Sequence, residues 1–399
     1  MTKPHDPARD GPFSRRLAWT VPENRLAAAE REVRASGRRV FDLTGSNPTA
    51  VGLPYPAAAI AAALADPAAV HYQPTPRGLP AARAAVASDY ARRGAALAPD
   101  RVFLVASSSE SYALLCKLFG NPGQALLVPE PSYPLFAYLA RLESLEARPY
   151  RLLYDGHWHI DFATLDFTNV AAVVVVSPNN PTGSYLGRSD WRRLAELAAE
   201  AGVPVIADEV FADFPIAPAR DAITAVAGCP TPALTFSLGG LSKACGLPQL
   251  KLGWIAASGP EALVEPALAN LELVADTYLS VGTPVQLALP RLFEIGAGIR
   301  ASIHERVLRN RQRLSERIGA SSPCTLLPAE AGWSAILRIP ETMSDETWAL
   351  RLLRDASVLV QPGYFFDLRL GATLVVSLLV PPEDFDEGIA RVLSAVESV

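Results

Sequence analysis

Through its middle third the chain repeats one rhythm. A short aliphatic run ends in a polar or Gly/Pro loop, and a segment with apolar residues at helical spacing often follows. "RVFLVA" leads into "SSSESYALLCKLF", and "ALLVPEPSYPLFAYLA" has the same form. "VAAVVVVSPNNPTG" precedes "RSDWRRLAELAAEAG", after which come "VPVIADEVF", "ALTFSLGGLSK" and "LKLGWIAAS". Unbroken apolar strands alternating with amphipathic helices predict an α/β fold with a mainly parallel sheet covered on both faces. The polar loops then lie at the carboxyl ends of the strands, where open α/β sheets bind ligands.

From about residue 286 the texture changes. "VQLALPRLFEIGAGIRASIHERVLRNRQRLSERIG" reads as one long Arg-studded helix, and "AGWSAILRIP", "ETWALRLLRDA" and "ATLVVSLLV" follow as a mixed α+β pattern. Near the start, "PENRLAAAEREVRASG" reads as a helix, followed by an extended "VFDLTGSNP". The expected organisation is a large domain over residues 50–285 and a smaller α+β domain built from residues 1–49 and 286–399.

Half of the residues are apolar, enough for a sizeable core, and the net charge of −5 argues against a general nucleic-acid binder. The first residues, "MTKPHDPARDGPFSRRL", show no apolar leader, and runs such as "AAVVVV" are too short to span a bilayer. Four cysteines without CxxC spacing read as reduced thiols, so a cytoplasmic protein is expected. His157 and His159 in "DGHWHID" lack a partner pattern, so no metal site is expected.

Lysine usage changes the picture. Only four of the 36 Lys and Arg residues are lysines, and two of them, Lys243 and Lys251, stand eight apart in "GGLSKACGLPQLKLGW". A guanidinium cannot form a Schiff base at neutral pH, whereas a partly desolvated amine can. A lysine in a Gly/Ser loop is, taken alone, more often a solvated surface charge. Its neighbours at other strand ends are what single it out. Asp208 closes one strand, "SPNNPTG" a second, and "PSY" with Tyr133 a third. Ser107, Ser108 and Ser109 open a helix, where unpaired N–H groups favour a phosphate. An amine, an acid, an amide, an aromatic face and an anion cup suit pyridoxal 5′-phosphate (PLP).

These motifs, in this order, resemble the class I/II aminotransferases, the aspartate-aminotransferase-like branch of fold-type I PLP enzymes. The resemblance runs from "LTGSNP" and "YQPTPRGLPAARAAV" to "QPGYFF". It implies a PLP-dependent transfer of an amino group between an amino acid and a 2-oxo acid, and a homodimer with shared active sites. It makes Lys243 the Schiff-base lysine and proton shuttle, Asp208 the partner of the pyridinium nitrogen, and Tyr133 the stacking aromatic. Asn180 would donate to the phenolic oxygen; an Asx turn before Pro181 is a serious rival on sequence alone. Ser108, Ser109 and Ser242 match the phosphate cup, Lys251 a phosphate-gripping cation that is usually arginine, and Tyr72 a tyrosine reaching over from the partner subunit.

The pattern breaks in several places. Phe211 stands where many members have a tyrosine, and Gly240 replaces a serine that often helps bind phosphate. Ser46 stands where a glycine often leaves room for the substrate carboxylate, and Val375 where an arginine usually clamps it. Arg15, Arg16, Arg77 and Arg369 are the alternatives by proximity to motifs. The alternatives in function are a lyase or decarboxylase of the same fold and a PLP-binding protein without turnover.

Overall fold

The computed structural model describes residues 12–17, 24–319 and 322–398. A short strand β1 (Phe41–Asp42) precedes the eight strands of the central sheet. These are β2 (Val102–Val105), β3 (Ala125–Glu130), β4 (Glu146–Tyr154), β5 (Trp158–Ile160), β6 (Val170–Val176), β7 (Val205–Asp208), β8 (Thr235–Gly240) and β9 (Gly253–Ser258). Their order across the sheet is β2-β9-β8-β7-β6-β3-β4-β5. The run from β8 through β7, β6 and β3 to β4 is parallel, while β9 and the edge strand β5 run antiparallel to their neighbours.

Alternation along each strand explains why the central strands are apolar throughout. Val173 and Val175 of β6 face one cluster, which includes Trp191, Leu194 and Ala198 of the Arg188–Glu200 helix. Val174 faces the opposite cluster, with Ile206, Phe236, and Leu115 of the Ser108–Phe119 helix. Successive residues point to opposite faces and both faces are covered, so each position must be apolar. Burying one such Val or Leu is worth roughly 1.5–3 kcal/mol.

The C-terminal part adds β10 (Thr325–Leu326), β11 (Ser334–Arg338), β12 (Val358–Leu359), β13 (Gln361–Pro362) and β14 (Thr373–Ser377). Four of these form an antiparallel sheet in the order β10-β11-β14-β13, and β12 pairs in parallel with β1. The N-terminal segment is thus knitted into the C-terminal one, and Ser377 N–H donates to Leu43 O at 2.7 Å. The long helix spans Thr283–Arg317 and buries Leu289, Leu292, Ile299, Ile303, Val307 and Leu314 along one stripe. Its core cluster joins Leu43, Val86, Trp254, Leu374 and Val392, drawing residues from both expected domains.

The elements expected from hydrophobic rhythm are present with short shifts at their ends. Several others were not expected, the Pro80–Arg92 and Pro382–Glu397 helices among them. The Glu261–Asp276 helix contains Pro266, which disguises its pattern, and β4, beside the edge strand β5, mixes charged Glu146, Arg148 and Arg151 with apolar residues. Among the described residues no helix is long and apolar enough to cross a membrane, and no group of His, Cys, Asp or Glu is placed to hold a metal ion. His159 sits on the edge strand β5, 3.8 Å from Asp155. All four cysteines are free thiols.

Candidate active site

The carboxyl ends of β2, β3, β6, β7 and β8 point to one side of the sheet and open into a cavity of about 340 Å³. Lys243, Asp208, Asn180, Tyr133, Phe211, Ser108 and Ser109 all line it. Each comes from a different loop or strand end except the two serines and the pair Asp208 and Phe211. The topology therefore brings together what the sequence holds 135 residues apart, from Ser108 to Lys243.

Asp208 is the last residue of β7 and is buried. Its Oδ2 accepts from Tyr112 Oη at 3.0 Å and its Oδ1 from Val210 N–H at 3.1 Å. Burial raises its pKa to about 6, against these hydrogen bonds, which lower it. Lys243 lies in the one-turn helix Leu241–Ala244 that follows β8. Burial lowers its pKa to about 8, and the Asp208 charge opposes the shift. Its Nζ stands 4.7 Å from the centre of the Trp333 ring and 5.4 Å from that of Phe211. Desolvation thus moves both groups toward their neutral forms, the amine downward and the carboxyl upward.

The anion end is built by a variant of the capping box, in which the third helical residue reaches back one position beyond the N-cap. Ser107 is the N-cap of the Ser108–Phe119 helix, and its Oγ accepts from Glu110 N–H at 3.2 Å. The Glu110 carboxylate reaches back to Ala106 N–H at 2.5 Å and also accepts from Ser280 Oγ at 2.8 Å. Ser107 was expected in the phosphate cup. Its hydroxyl instead holds the helix terminus, and the cavity lining begins at Ser108 and Ser109. Gly253 of β9 lets that terminus approach closely, since a Cβ there would sit 3.3 Å from Ser107 C. The register Val105↔Gly253 brings Lys251, two residues before Gly253, toward the same terminus.

Asn180 is oriented by Ser334, whose Oγ donates to Asn180 Oδ1 at 3.3 Å and so keeps the amide Nδ2 as a donor. The loop carrying Asn180 is locked at Gly183, where φ is +69° and a Cβ would meet Ala331 O at 2.5 Å. Gly183 O in turn accepts from Glu330 and Ala331 N–H at 3.1 and 2.9 Å, which docks the loop just before Trp333 and Ser334.

Other expected residues lie outside the lining. Ser242 is half-buried beside Lys243, and Lys251 is exposed in a left-handed backbone conformation with φ +49°. Tyr72 is 75% exposed on a separate surface depression shared with Tyr278 and Leu279. Gly240 serves packing, because a Cβ there would lie 3.3 Å from Gly253 Cα. Val375 packs in a small apolar cluster with Leu327, Ile336, Phe366 and Leu368. The alternative arginines are engaged or remote. Arg369 binds Glu130 through Nη2 at 2.7 Å and Nε at 3.1 Å, Arg77 binds Glu272 at 2.7 Å, and Arg16 donates to Leu142 O at 2.9 Å. Arg15 sits with Arg16 in an exposed turn.

Sequence reasoning gave no site role to the polar and aromatic lining residues Thr44, Tyr112, Ser132, Trp333, Ser334, Gln361, Phe366 and Ser377, nor to the apolar Leu135, Phe136, Val176 and Val210. Tyr112 alone carried a readable signal, since it stands four residues after Ser108 on the same helix face. The residues present fit PLP. A buried carboxylate, an amine of lowered pKa, a helix terminus and a donor amide surround one space, and buried Ser132 Oγ in its wall has no hydrogen-bond partner within the protein.

Comparison with known proteins agrees. The family profile of aminotransferase class I and II matches residues 40–392. The chain is 28% identical to nicotianamine aminotransferase A of Hordeum vulgare over 79% of this chain and 71% of that protein. It is 32% identical to S-alkyl-thiohydroximate lyase SUR1 of Arabidopsis thaliana over 56% of this chain and 49% of that protein. In three dimensions it superposes on alanine aminotransferase from Pyrococcus furiosus with a TM-score of 0.83 at 23% identity, covering 97% of this chain and all of that one, a likeness of fold. With its sheet, strand-end cavity and family profile in agreement, the chain belongs to the class I and II aminotransferases, fold-type I enzymes that use PLP.

Proposed function

We propose that the enzyme moves an amino group between an amino compound and an oxo compound, with Lys243 as the residue that holds the cofactor and carries the proton. The observation behind this reading is that half-buried Lys243, whose pKa desolvation lowers to about 8, and buried Asp208, whose pKa desolvation raises to about 6, line one cavity. When bound, PLP supplies an electron sink for the pair of electrons left on the substrate carbon. Asp208 would hold a proton on the ring nitrogen, and Tyr112 keeps that carboxylate ionised and aimed. Asn180 would donate to the phenolic oxygen, and Ser108, Ser109 and the helix terminus would hold the phosphate, with Ser242 and Lys251 beside them. Tyr133 would flank the ring. Lys243 Nζ would carry a proton between the substrate carbon that bears the amino group and the cofactor's C4′, a role suited to a base with a pKa near the working pH.

The wider arrangement follows the same reading. Residues 50–285 form the cofactor domain, and 1–49 with 286–399 the small domain. The long helix starts at Thr283, close to that boundary. We infer a homodimer in which Tyr72 reaches the phosphate of the second copy, supported by exposed Tyr72, Leu273 and Tyr278. Free thiols support a cytoplasmic location.

The test is spectroscopic. Added to the PLP-loaded enzyme, an amino donor converts the cofactor to its amine form and releases the matching oxo compound. Ammonia released with an oxo acid, or carbon dioxide, would point to elimination or decarboxylation instead. No spectral response to any donor would point to a protein without turnover.

A further inference from the structure

The substrate side of the cavity has its own chemistry. Thr44 and Ser46 come from the segment after β1, Trp333 and Ser334 from the start of β11, Gln361 from β13, Phe366 from the turn that follows β13, and Ser377 from the end of β14. All of these side chains are neutral. Ser377 donates to Gly45 O at 2.6 Å, which fixes the loop bearing Thr44 and Ser46. Val375, two residues before Ser377 on the same face of β14, is 1% exposed and packs behind the lining in an apolar cluster with Leu327, Ile336, Leu368 and the lining residue Phe366. Among the described residues the lining carries one cation, Lys243, and one anion, Asp208, and the two balance each other.

A bound phosphate would already make this space net negative. A carboxylate brought in beside the reacting carbon would lose its water among hydroxyls, an amide and aromatic rings, and among the described residues this lining offers it no cation besides Lys243. A neutral group would instead use the Ser and Thr hydroxyls and Gln361 as hydrogen-bond partners, and the Trp333 and Phe366 rings as apolar walls.

We propose that the site favours amines, and the corresponding aldehydes or ketones, that bear no carboxylate on the reacting carbon: simple primary amines and amino alcohols rather than α-amino acids. This rests on the aminotransferase reading. The exchange balances without an oxidant. The donor gives up its amino group and one hydrogen and takes the acceptor's oxygen, becoming a carbonyl compound, while the acceptor becomes an amine.

Two measurements on the PLP-loaded enzyme in its solution assembly test it. In the first, L-phenylalanine is compared with phenethylamine and phenylalaninol, and L-leucine with isoamylamine and leucinol, by the rate at which each converts the cofactor to its amine form. The amines and amino alcohols should react at least about tenfold faster at equal concentration, the difference that loss of one ionic partner typically makes. The second needs no turnover. Calorimetric titration should show phenylacetamide binding at least about tenfold more tightly than the isosteric anion phenylacetate. Faster reaction of the amino acids, or tighter binding of phenylacetate, overturns the proposal and leaves the aminotransferase reading intact. If no donor of either kind converts the cofactor, the aminotransferase reading fails and the proposal falls with it.

Discussion

The cavity has two halves that are built differently. The cofactor half comes from strand ends of one sheet, within residues 108–243, and concentrates charge: Lys243, Asp208 and a helix N-terminus. The substrate half comes from segments after β1 and around β11, β13 and β14, and is neutral. Rigid, parallel strands fix the first half, while the second is assembled from loops held to one another by hydrogen bonds such as Ser377 to Gly45. Chemistry common to many substrates is thus placed on the invariant geometry of the sheet, and recognition on the segments that differ in sequence texture.

Substitutions break the charged half in graded steps. Lys243→Ala should lower kcat by about four orders of magnitude and abolish covalent retention of the cofactor, read by steady-state rates and by gel filtration of the loaded protein. Asp208→Asn should lower kcat/KM by roughly two to three orders of magnitude, the range seen when a fixed electrostatic partner is lost. The same change should shift the titration of Lys243 below about 8, because the Asp208 charge raises it; pH-dependent amine labelling of the apoprotein reads this.

Tyr112→Phe sharpens the contrast without removing a charge. The hydroxyl stabilises the ionised Asp208 carboxylate, so its loss should raise that pKa further above about 6. Activity at pH 7 should fall about tenfold and the acidic limb of the pH profile should move to higher pH. Ser334→Ala, on the border between the halves, removes one neutral hydrogen bond to Asn180 and should cost about 1 kcal/mol in kcat/KM, roughly fivefold. Ser107→Ala should chiefly affect stability, lowering the unfolding free energy by about 1 kcal/mol through the lost cap, as read in urea titration.

How much of this the sequence carried follows the same division. Lys243, Asp208, Asn180 and Tyr133 stood out because each closes an apolar strand, and strand ends are visible as breaks in hydrophobic rhythm. Nothing local marks Trp333, Ser334, Gln361 or Ser377. Their place in the wall depends on how the antiparallel sheet β10-β11-β14-β13 is set against the central one, which periodicity does not encode. Ser107 shows the opposite problem. "SSSE" fits both an anion cup and a capping box, and only the hydrogen bond to Glu110 N–H separates the two roles. Lys251 had the right spacing and charge, but its left-handed backbone and exposure are properties of the turn rather than of the spacing.

The central claim is that Lys243 is the lysine to which PLP is joined. It is tested most directly by borohydride reduction of the loaded enzyme, proteolysis and mass spectrometry of the peptides. The account predicts one pyridoxyl group per chain, on the peptide containing Lys243, with Lys3, Lys117 and Lys251 unmodified. A pyridoxyl group on the Lys251 peptide, or on none, would contradict it.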